Sequence, residues 1–431
     1  MSQLNDLNAK IGKYRWTICA LVFFATTINY LDRQVIGILK PVLKSDLGIG
    51  EAEYGYIVSA FQFAYAIGMV IAGRVIDKIG TKIGYALSLI LWSFAAIGHA
   101  LAKGPFGFGV ARAFLGISEA GNFPAAIKTI AEWFPKKERA LATGIFNSGT
   151  NIGAIIAPIV VPWLASQYGW QMAFIATGLV GFIWLIFWFI YYEVPEKQKR
   201  LGQAEMAYIK SDQEDESKES IPWLKLLQYR QTWAFFVGKF LTDPIWWLYL
   251  FWIPGWLADV RNLDIKSFGL PLVVIYTATT VGSIFGGWLS SFLISRGYPV
   301  NKSRKWTMLL FAFLVTPIAF AQTTGIGLWG AIGLISLAAA SHQAWSANIF
   351  TTVSDMFPKR AVGSVIGIGG MAGSIGGILI AIFAGNILKF WEAKGAIQTG
   401  YFTLFLIASV AYLIAWVIFN LLAPNMKKVD L

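Results

Sequence analysis

Read for runs of apolar positions, the chain divides into twelve segments long enough to cross about 30 Å of hydrocarbon as helices. They begin near Trp16, Tyr54, Ile83, Phe106, Ala140 and Trp170, and again near Trp233, Phe268, Trp306, Gly325, Val362 and Tyr401. Between the sixth and the seventh lies the longest polar stretch, "VPEKQKRLGQAEMAYIKSDQEDESKESIPWLKLLQYRQ", alternating in charge and holding one short helical pattern. The pattern predicts an all-α membrane protein of two six-helix bundles, residues 1–193 and 231–431, joined by a linker over 194–230.

Composition agrees with the pattern. The 431 residues are 56% hydrophobic and only 13% charged, with a mean hydropathy of +0.59, far more apolar than a soluble protein of this length. The formal charge of +12 is scattered through short loops, so no basic face suited to nucleic acid is expected. Cys19 is alone, which rules out an intrachain disulfide. No nucleophile, metal cluster or phosphate-binding loop stands out, so an enzyme is not expected, nor a metal or other cofactor. The polar N-terminus lacks a short apolar core followed by a small-residue cleavage site, so the first span is expected to remain as an anchor.

Lys and Arg are more frequent in the even-numbered short loops, which hold Arg74, Lys78, Lys82 and Arg304 among others, than in the odd-numbered ones, which hold Lys40, Lys44 and Lys103. Cationic loops stay on the cytoplasmic side, so both termini and the linker are expected there. The protein is read as a multi-pass monomer of the cell membrane, the inner membrane if the cell is Gram-negative.

The halves echo one another. "WFPKKERALATGIFNSGTNIGAIIA" from Trp133 matches "MFPKRAVGSVIGIGGMAGSIGGILI" from Met356 in its Phe-Pro-Lys turn and Gly-rich helix, and "GRVIDKIGTKIGY" at Gly73 matches "GGWLSSFLISRGYPVNKSRK" at Gly286. Repeats about 220 residues apart imply similar bundles around a shared cavity, an arrangement suited to alternating access.

The stretch Gly73-Arg74-Val75-Ile76-Asp77-Lys78-Ile79-Gly80-Thr81-Lys82 resembles the loop between spans 2 and 3 of the major facilitator superfamily, and the resemblance covers essentially the whole chain. It implies the twelve-helix major facilitator fold and a gating role for Gly73, Asp77, Lys78 and Gly80, with Asp77 holding the cytoplasmic gate shut in the outward-facing state. The second copy has Ser291 where the first has Asp77. The alternative is a tight solvated turn. Within the superfamily, "NYLDRQ", "RAFLGISEAGNFPAAIK" and "AEWFPKKERALATGIFNSGTNIGAIIAP" are similar to the anion:cation symporter family, and "KFLTDPIWW" and "SHQAWSANIF" resemble the hexuronate importers of bacteria.

Ionised groups at bilayer depth are costly and survive where they face a wet cavity, a partner charge or a substrate. Asp32 and Arg33 fall in span 1, Arg112 and Glu119 in span 4, Lys239 and Asp243 in span 7. Neighbours on a helix point about 100° apart, so Asp32 and Arg33 cannot aim at one spot. Arg112 and Glu119, seven apart, share a face as two stations of one polar stripe, and Lys239 and Asp243, four apart, can pair within their helix beside Pro244. A site for a carboxylate favours Arg over Lys because the planar fork makes two parallel hydrogen bonds, which makes Arg33 the first candidate.

The resemblance implies that Arg33 contacts the substrate carboxylate, with Asp32 and Glu119 as proton sites and Arg112 beside them. For Asp32 a permanent structural ion pair is the competing reading. Tyr30, Tyr65, Asn147, Thr150 and Asn151, and in span 10 His342, Gln343, Trp345 and Ser346, are candidates to read hydroxyls, although His342 can equally be an interhelical hydrogen bond. Where some sugar-acid relatives place Asn in span 11, this chain has Gly370. His99 has no assigned role. Gly149, Gly153, Gly363, Gly367 and Gly373 are read as close-packing positions.

The leading expectation is a proton symporter for a small organic anion, a hexuronate. Another carboxylate such as an aldonate, sodium coupling, and a channel or transporter-like receptor are the alternatives.

Overall fold

A computed structural model describes residues 12–211, 222–323 and 325–430. Lys10 and residues 212–221 of the expected linker lie outside them. Fifteen α-helices follow in order: α1 Tyr14–Leu47, α2 Glu51–Ile79, α3 Thr81–Gly98, α4 Pro105–Glu119, α5 Asn122–Trp133, α6 Lys136–Tyr168, α7 Trp170–Tyr191, α8 Gln203–Lys210, α9 Trp223–Leu226, α10 Arg230–Asp259, α11 Gly269–Ser295, α12 Val300–Val315, α13 Leu328–Met356, α14 Lys359–Glu392 and α15 Ile397–Leu422. Among the described residues there is no strand.

Span 4 is α4 and α5 in series, broken at Ala120 and Gly121 immediately after Glu119. The other expected spans are single helices, with α12 extended by a short 3-10 turn over Thr316–Phe320. Six helices among the described residues are long and apolar enough to cross a bilayer on their own, including Trp170–Tyr191 and Ile397–Leu422. Of the others, α1, α4 and α10 hold the charged residues of the site, α13 holds His342, Gln343 and Asn348, and α12 is short at 16 residues.

The sequence repeat is a structural repeat. Pro135 precedes α6 at φ −63°, ψ 152°, and Pro358 precedes α14 at φ −65°, ψ 152°. Proline's fixed φ and missing N–H suit the start of a helix, where that donor has no partner. Gly80 and Gly297 close the equivalent loops after α2 and α11 at φ 84° and 89°, left-handed values that glycine adopts without a Cβ clash. Packing repeats too. In the first half α1 lies on α6, α2 on α4 and α3 on α7; in the second α10 lies on α14, α11 on α13 and α12 on α15.

The halves meet along two related seams, α2 against α14 and α6 against α11, with α1 and α10 crossing between them. An even number of spans puts both described ends on one face, called here the near face. Toward the far face the seam is closed by backbone: Gly55 of α2 meets the Ala381 carbonyl and Gly385 of α14, and Gly37 of α1 lies against the Leu250 carbonyl of α10. Small residues permit such approach. Toward the near face Gly73 of α2 and Gly363 and Gly370 of α14 have no neighbour where a Cβ would point. Gly149, Gly153 and Gly373 do pack closely, the first two on the α1 backbone. Gly363 does not: it is exposed, with nothing near where its Cβ would point.

Candidate functional site

The charged residues of the first half gather where the seam begins to close. α1 carries Arg33 inward, and its Nε donates to Glu119 Oε2 at 2.6 Å. Arg33 is 3% exposed and Glu119 is fully buried. Glu119 sits at the last turn of α4, placed by the packing of α2 on α4, in which Gly116 admits the Phe61 carbonyl. Losing one partner of such a buried pair costs about 3–5 kcal/mol, because the other charge is left in a dry environment.

Aromatic rings line the rest of the guanidinium. Its Cζ lies 4.8 Å from the ring centre of Tyr30, 5.1 Å from Phe61, 4.6 Å from Tyr65 and 6.0 Å from Trp247. Rings hold a cation by their quadrupole without offering it a counter-charge. Trp247 belongs to the second half, so the Arg33 environment is shared between halves.

Behind this layer, Arg112 places its guanidinium over Phe61 at 4.6 Å and Phe251 at 5.6 Å. It donates a long 3.5 Å bond to the Arg33 carbonyl, while its Nε and Nη1 find no acceptor among the described residues. Asp32, 2% exposed, turns the other way, toward Thr177 of α7. Neither of its oxygens has a hydrogen-bond partner among the described residues, and the Thr177 hydroxyl donates instead to the Phe174 carbonyl at 3.4 Å. The alternative of a structural ion pair at Asp32 therefore finds no partner in this conformation. Adjacent helix positions have given Asp32 and Arg33 separate surroundings, as their angular offset requires.

In the second half, Lys239 and Asp243 form the expected intrahelical pair at 2.8 Å. The Lys239 ammonium lies 4.1 Å from the Phe350 ring centre, and Asp243 packs against Gly373. His342 stacks on Trp246 with ring centres 5.2 Å apart and bonds through Nδ1 to the Tyr412 hydroxyl of α15, so it is an interhelical hydrogen bond here. Trp345 is buried edge-on to Tyr412, and Gln343 and Ser346 are half-buried on the same helix. On α6, Asn147 is exposed and Thr150 and Asn151 half-buried, with the Thr150 hydroxyl returned to the Asn147 carbonyl. Asn147 and Asn151 point away from the face that Gly149 and Gly153 press on α1. Among the described residues, the ion pair and ring contacts of Arg33 are not with them. His99 stacks on Phe174, 4.8 Å away, in the core of the first half.

At the gating loop, Asp77 is exposed and pairs at 2.8 Å with Lys128 of its own half. Lys78 is also exposed, while Gly73 and Gly80 are half-buried and nothing approaches either where a Cβ would point.

Two features escape a reading of the sequence alone. Trp247 is visible only as one of two adjacent tryptophans. The second is a charged latch at the far face: Lys40 binds Glu51 at 2.7 Å and the Tyr401 hydroxyl at 3.0 Å, Lys44 binds Glu51 at 3.2 Å and Glu392 at 2.6 Å, and Asp259 lies 3.7 Å from Lys44. Tyr401 in turn donates to Asp259 at 2.9 Å. Lys40, Lys44 and Glu51 belong to the first half, and Asp259, Glu392 and Tyr401 to the second. Two lysines four residues apart at a span end, with Pro41 between them, were the available signal.

Residues 22–381 match the Major Facilitator Superfamily. The chain belongs to that superfamily. It is accordingly a multi-pass membrane transporter with the major facilitator fold. Curated relatives include a hexuronate transporter of Escherichia coli (strain K12), 36% identical over 88% of each chain, and a galacturonate transporter of Dickeya chrysanthemi, 36% identical over 71% of this chain and 90% of that one. A D-galactonate transporter of Escherichia coli O6:H1 is 27% identical over 88% of this chain and 91% of that one. Among solved structures, a bacterial homolog of the human lysosomal transporter Spinster in an inward-facing conformation has a TM-score of 0.78 at 18% identity, covering 97% of this chain and all of that one. A D-xylose-proton symporter has a TM-score of 0.74 at 14% identity, with the same coverage. As a major facilitator, the chain uses the repeated Phe-Pro-Lys turns and glycine seams to bring the two bundles around one central charged layer.

Proposed function

We propose that this transporter imports a hexuronate together with protons by alternating access, with both termini cytoplasmic and the monomer as the working unit. The observation that carries the reading is the buried Arg33–Glu119 pair in its aromatic cage at the junction of the halves. The relatives named for hexuronate and galacturonate transport support the substrate class. In the proposed orientation the closed far face is periplasmic and the open near face cytoplasmic, which makes this conformation inward-facing.

The pair suggests how anion and proton are linked. Glu119 occupies Arg33, so a substrate carboxylate must compete with it for the planar guanidinium. A proton on Glu119 removes that competitor, so each ligand favours the binding of the other. Asp32, buried on the α7 side without a hydrogen-bond partner among the described residues, is the second proton site in this scheme, and Arg112 biases both carboxylates. Thr150, Asn147 and Asn151 of α6 and Gln343 and Ser346 of α13 remain the candidates for the sugar hydroxyls, while His342 and Trp345 are engaged with Tyr412. A second reading, an aldonate or aldarate as substrate, is favoured by relatives named for D-galactonate and for galactarate/D-glucarate transport.

Uptake of labelled glucuronate into proteoliposomes tests the proposal. Accumulation above the external concentration is expected only with an inward proton gradient. Glu119→Gln, which imitates a permanently protonated carboxyl, should retain binding with weaker pH dependence and lose accumulation while counterflow persists. Full gradient-driven accumulation by Glu119→Gln would remove Glu119 from the coupling scheme, and accumulation driven by sodium alone would replace the proton.

A further inference from the structure

Gln62 is fully buried on α2, yet neither its amide oxygen nor its amide nitrogen has a hydrogen-bond partner among the described residues. A buried amide left unsatisfied is costly, and native proteins retain one where another state or a ligand completes it. Its surroundings point to a ligand. Gln62 follows Phe61 and precedes Tyr65 by one turn, and both of those rings face Arg33. Across the seam stands Gly377 of α14, where a Cβ would lie 3.3 Å from Gln62 Cδ and 3.1 Å from Cδ1 of Trp247. Gln62 and Trp247 therefore converge on one spot from opposite halves, and a glycine keeps that spot clear. Trp247 is half-buried and its indole N–H makes no hydrogen bond among the described residues, although its ring faces the Arg33 guanidinium.

We propose that Gln62 and Trp247, meeting across Gly377, are the subsite that reads the hydroxyl pattern of the sugar acid whose carboxylate Arg33 holds. This rests on the hexuronate reading of the site. The amide offers both a donor and an acceptor, which suits a vicinal pair of hydroxyls, each of which can give and take a hydrogen bond. The indole supplies an apolar face for the C–H side of the ring and an N–H for an oxygen at its edge. Specificity of this kind is steep, because a site built to bond a hydroxyl is left with unpaired polar groups when the hydroxyl is missing or misplaced. The ligand would also touch both halves at once, so its binding would register how far apart they are.

The test measures binding of D-glucuronate and D-galacturonate, which differ at one hydroxyl, to the purified full-length protein, wild type and Gln62→Leu. The expected result is a loss of affinity of about tenfold or more for the epimer that the wild type prefers, and a collapse of the ratio between epimers. Trp247→Phe, which keeps the ring face and removes the N–H, should reduce the same ratio by less. An equal loss for both epimers, or affinities within twofold of wild type, would overturn the assignment and leave the hexuronate reading intact. Equal wild-type affinities for the two would overturn it as well. Wild-type protein that binds neither epimer removes the hexuronate reading, and this subsite with it. Where Gln62→Leu yields no folded protein, Gly377→Ala carries the test: its methyl intrudes between the Gln62 amide and the Trp247 ring and should lower the ratio, and an unchanged ratio would overturn the proposal.

Discussion

At the far face, Lys40 and Lys44 sit among Glu51, Asp259 and Glu392, and Tyr54 of the first half donates to the Phe251 carbonyl of the second at 2.9 Å. At the near face Asp77 reaches only Lys128, and Arg304 reaches Asp355, each within its own half. Among the described residues, the ion pairs and hydrogen bonds that join the halves all lie at or beyond the level of Arg33 toward the far face. The difference teaches that this conformation is held by one end. The far face has three carboxylates for two ammonium groups and places Glu51 at 1% exposure, so its charges are committed to one another. At the near face Arg15 is buried too, in its pairs with Glu138 and Glu205, but these pairs, like that of the exposed Asp77, tie nothing of the first half to the second.

Lys40→Met should disturb this contrast most. It strips the buried Glu51 of its shorter partner and cuts a tie to Tyr401, a change on the order of 3 kcal/mol for a buried pair, and so should shift the population toward a state open at the far face. A cysteine replacing Leu250, now 1% exposed, in a background lacking Cys19, should be labelled faster from that side. Labelling at the wild-type rate would mean that the glycine seam alone closes the far face.

Arg33→Lys probes the level at which closure begins. The charge survives but the fork does not, so hexuronate affinity measured by titration should fall about tenfold, worth ~1.4 kcal/mol. Unchanged affinity would take Arg33 out of the binding site. Asp77→Asn should do less in the present state, since an exposed pair contributes up to ~1 kcal/mol. If Asp77 has the gating role that the resemblance implies, its effect is expected in the opposite state. Cysteine labelling at the near-face mouth should accelerate, and an unchanged rate would reduce Asp77 to a turn residue.

The smallest effect concerns pH at the near face. The hydrogen bond from Lys82, at 2.8 Å, holds the Glu193 carboxyl below the usual glutamate range. A depressed carboxyl contributes stability that is complete above its unfolded value, about 4.3, and is lost as pH falls through the lower folded value. Lys82→Met should therefore leave the midpoint of thermal unfolding less dependent on pH below about 4.3, by a few tenths of a kcal/mol for so exposed a pair.

How much of this was legible in the sequence depends on range. The spans, the repeated turns and the depth of each charge follow from hydrophobic runs and local chemistry, and the Lys239–Asp243 pair follows from four-residue spacing on one helix. The partner of Arg33 does not. Glu119 is 86 positions away, and their contact depends on how α1 and α4 are rotated about their axes, which a run of apolar residues does not encode. Lys40 and Lys44 illustrate the same limit. Counted as loop cations they inform orientation, but their carboxylates arrive from α2, α10 and α14. Trp247 and Gln62 were hidden because an aromatic or an amide in a span has many structural uses, and only convergence across the seam separates them from the rest.

The glycine contact between α2 and α14 has a kinetic consequence. Where Gly55 meets Gly385, backbone lies directly on backbone with no side chain between them, which leaves little at that point to obstruct the tilt of one helix against the other. Such a joint works as a smooth pivot, with little steric interlock to be undone. The temperature dependence of switching between arrangements should then be governed by the charges of the latch. A bulkier residue at either glycine would act as a wedge, slowing the motion in both directions even where it left the balance between states unchanged.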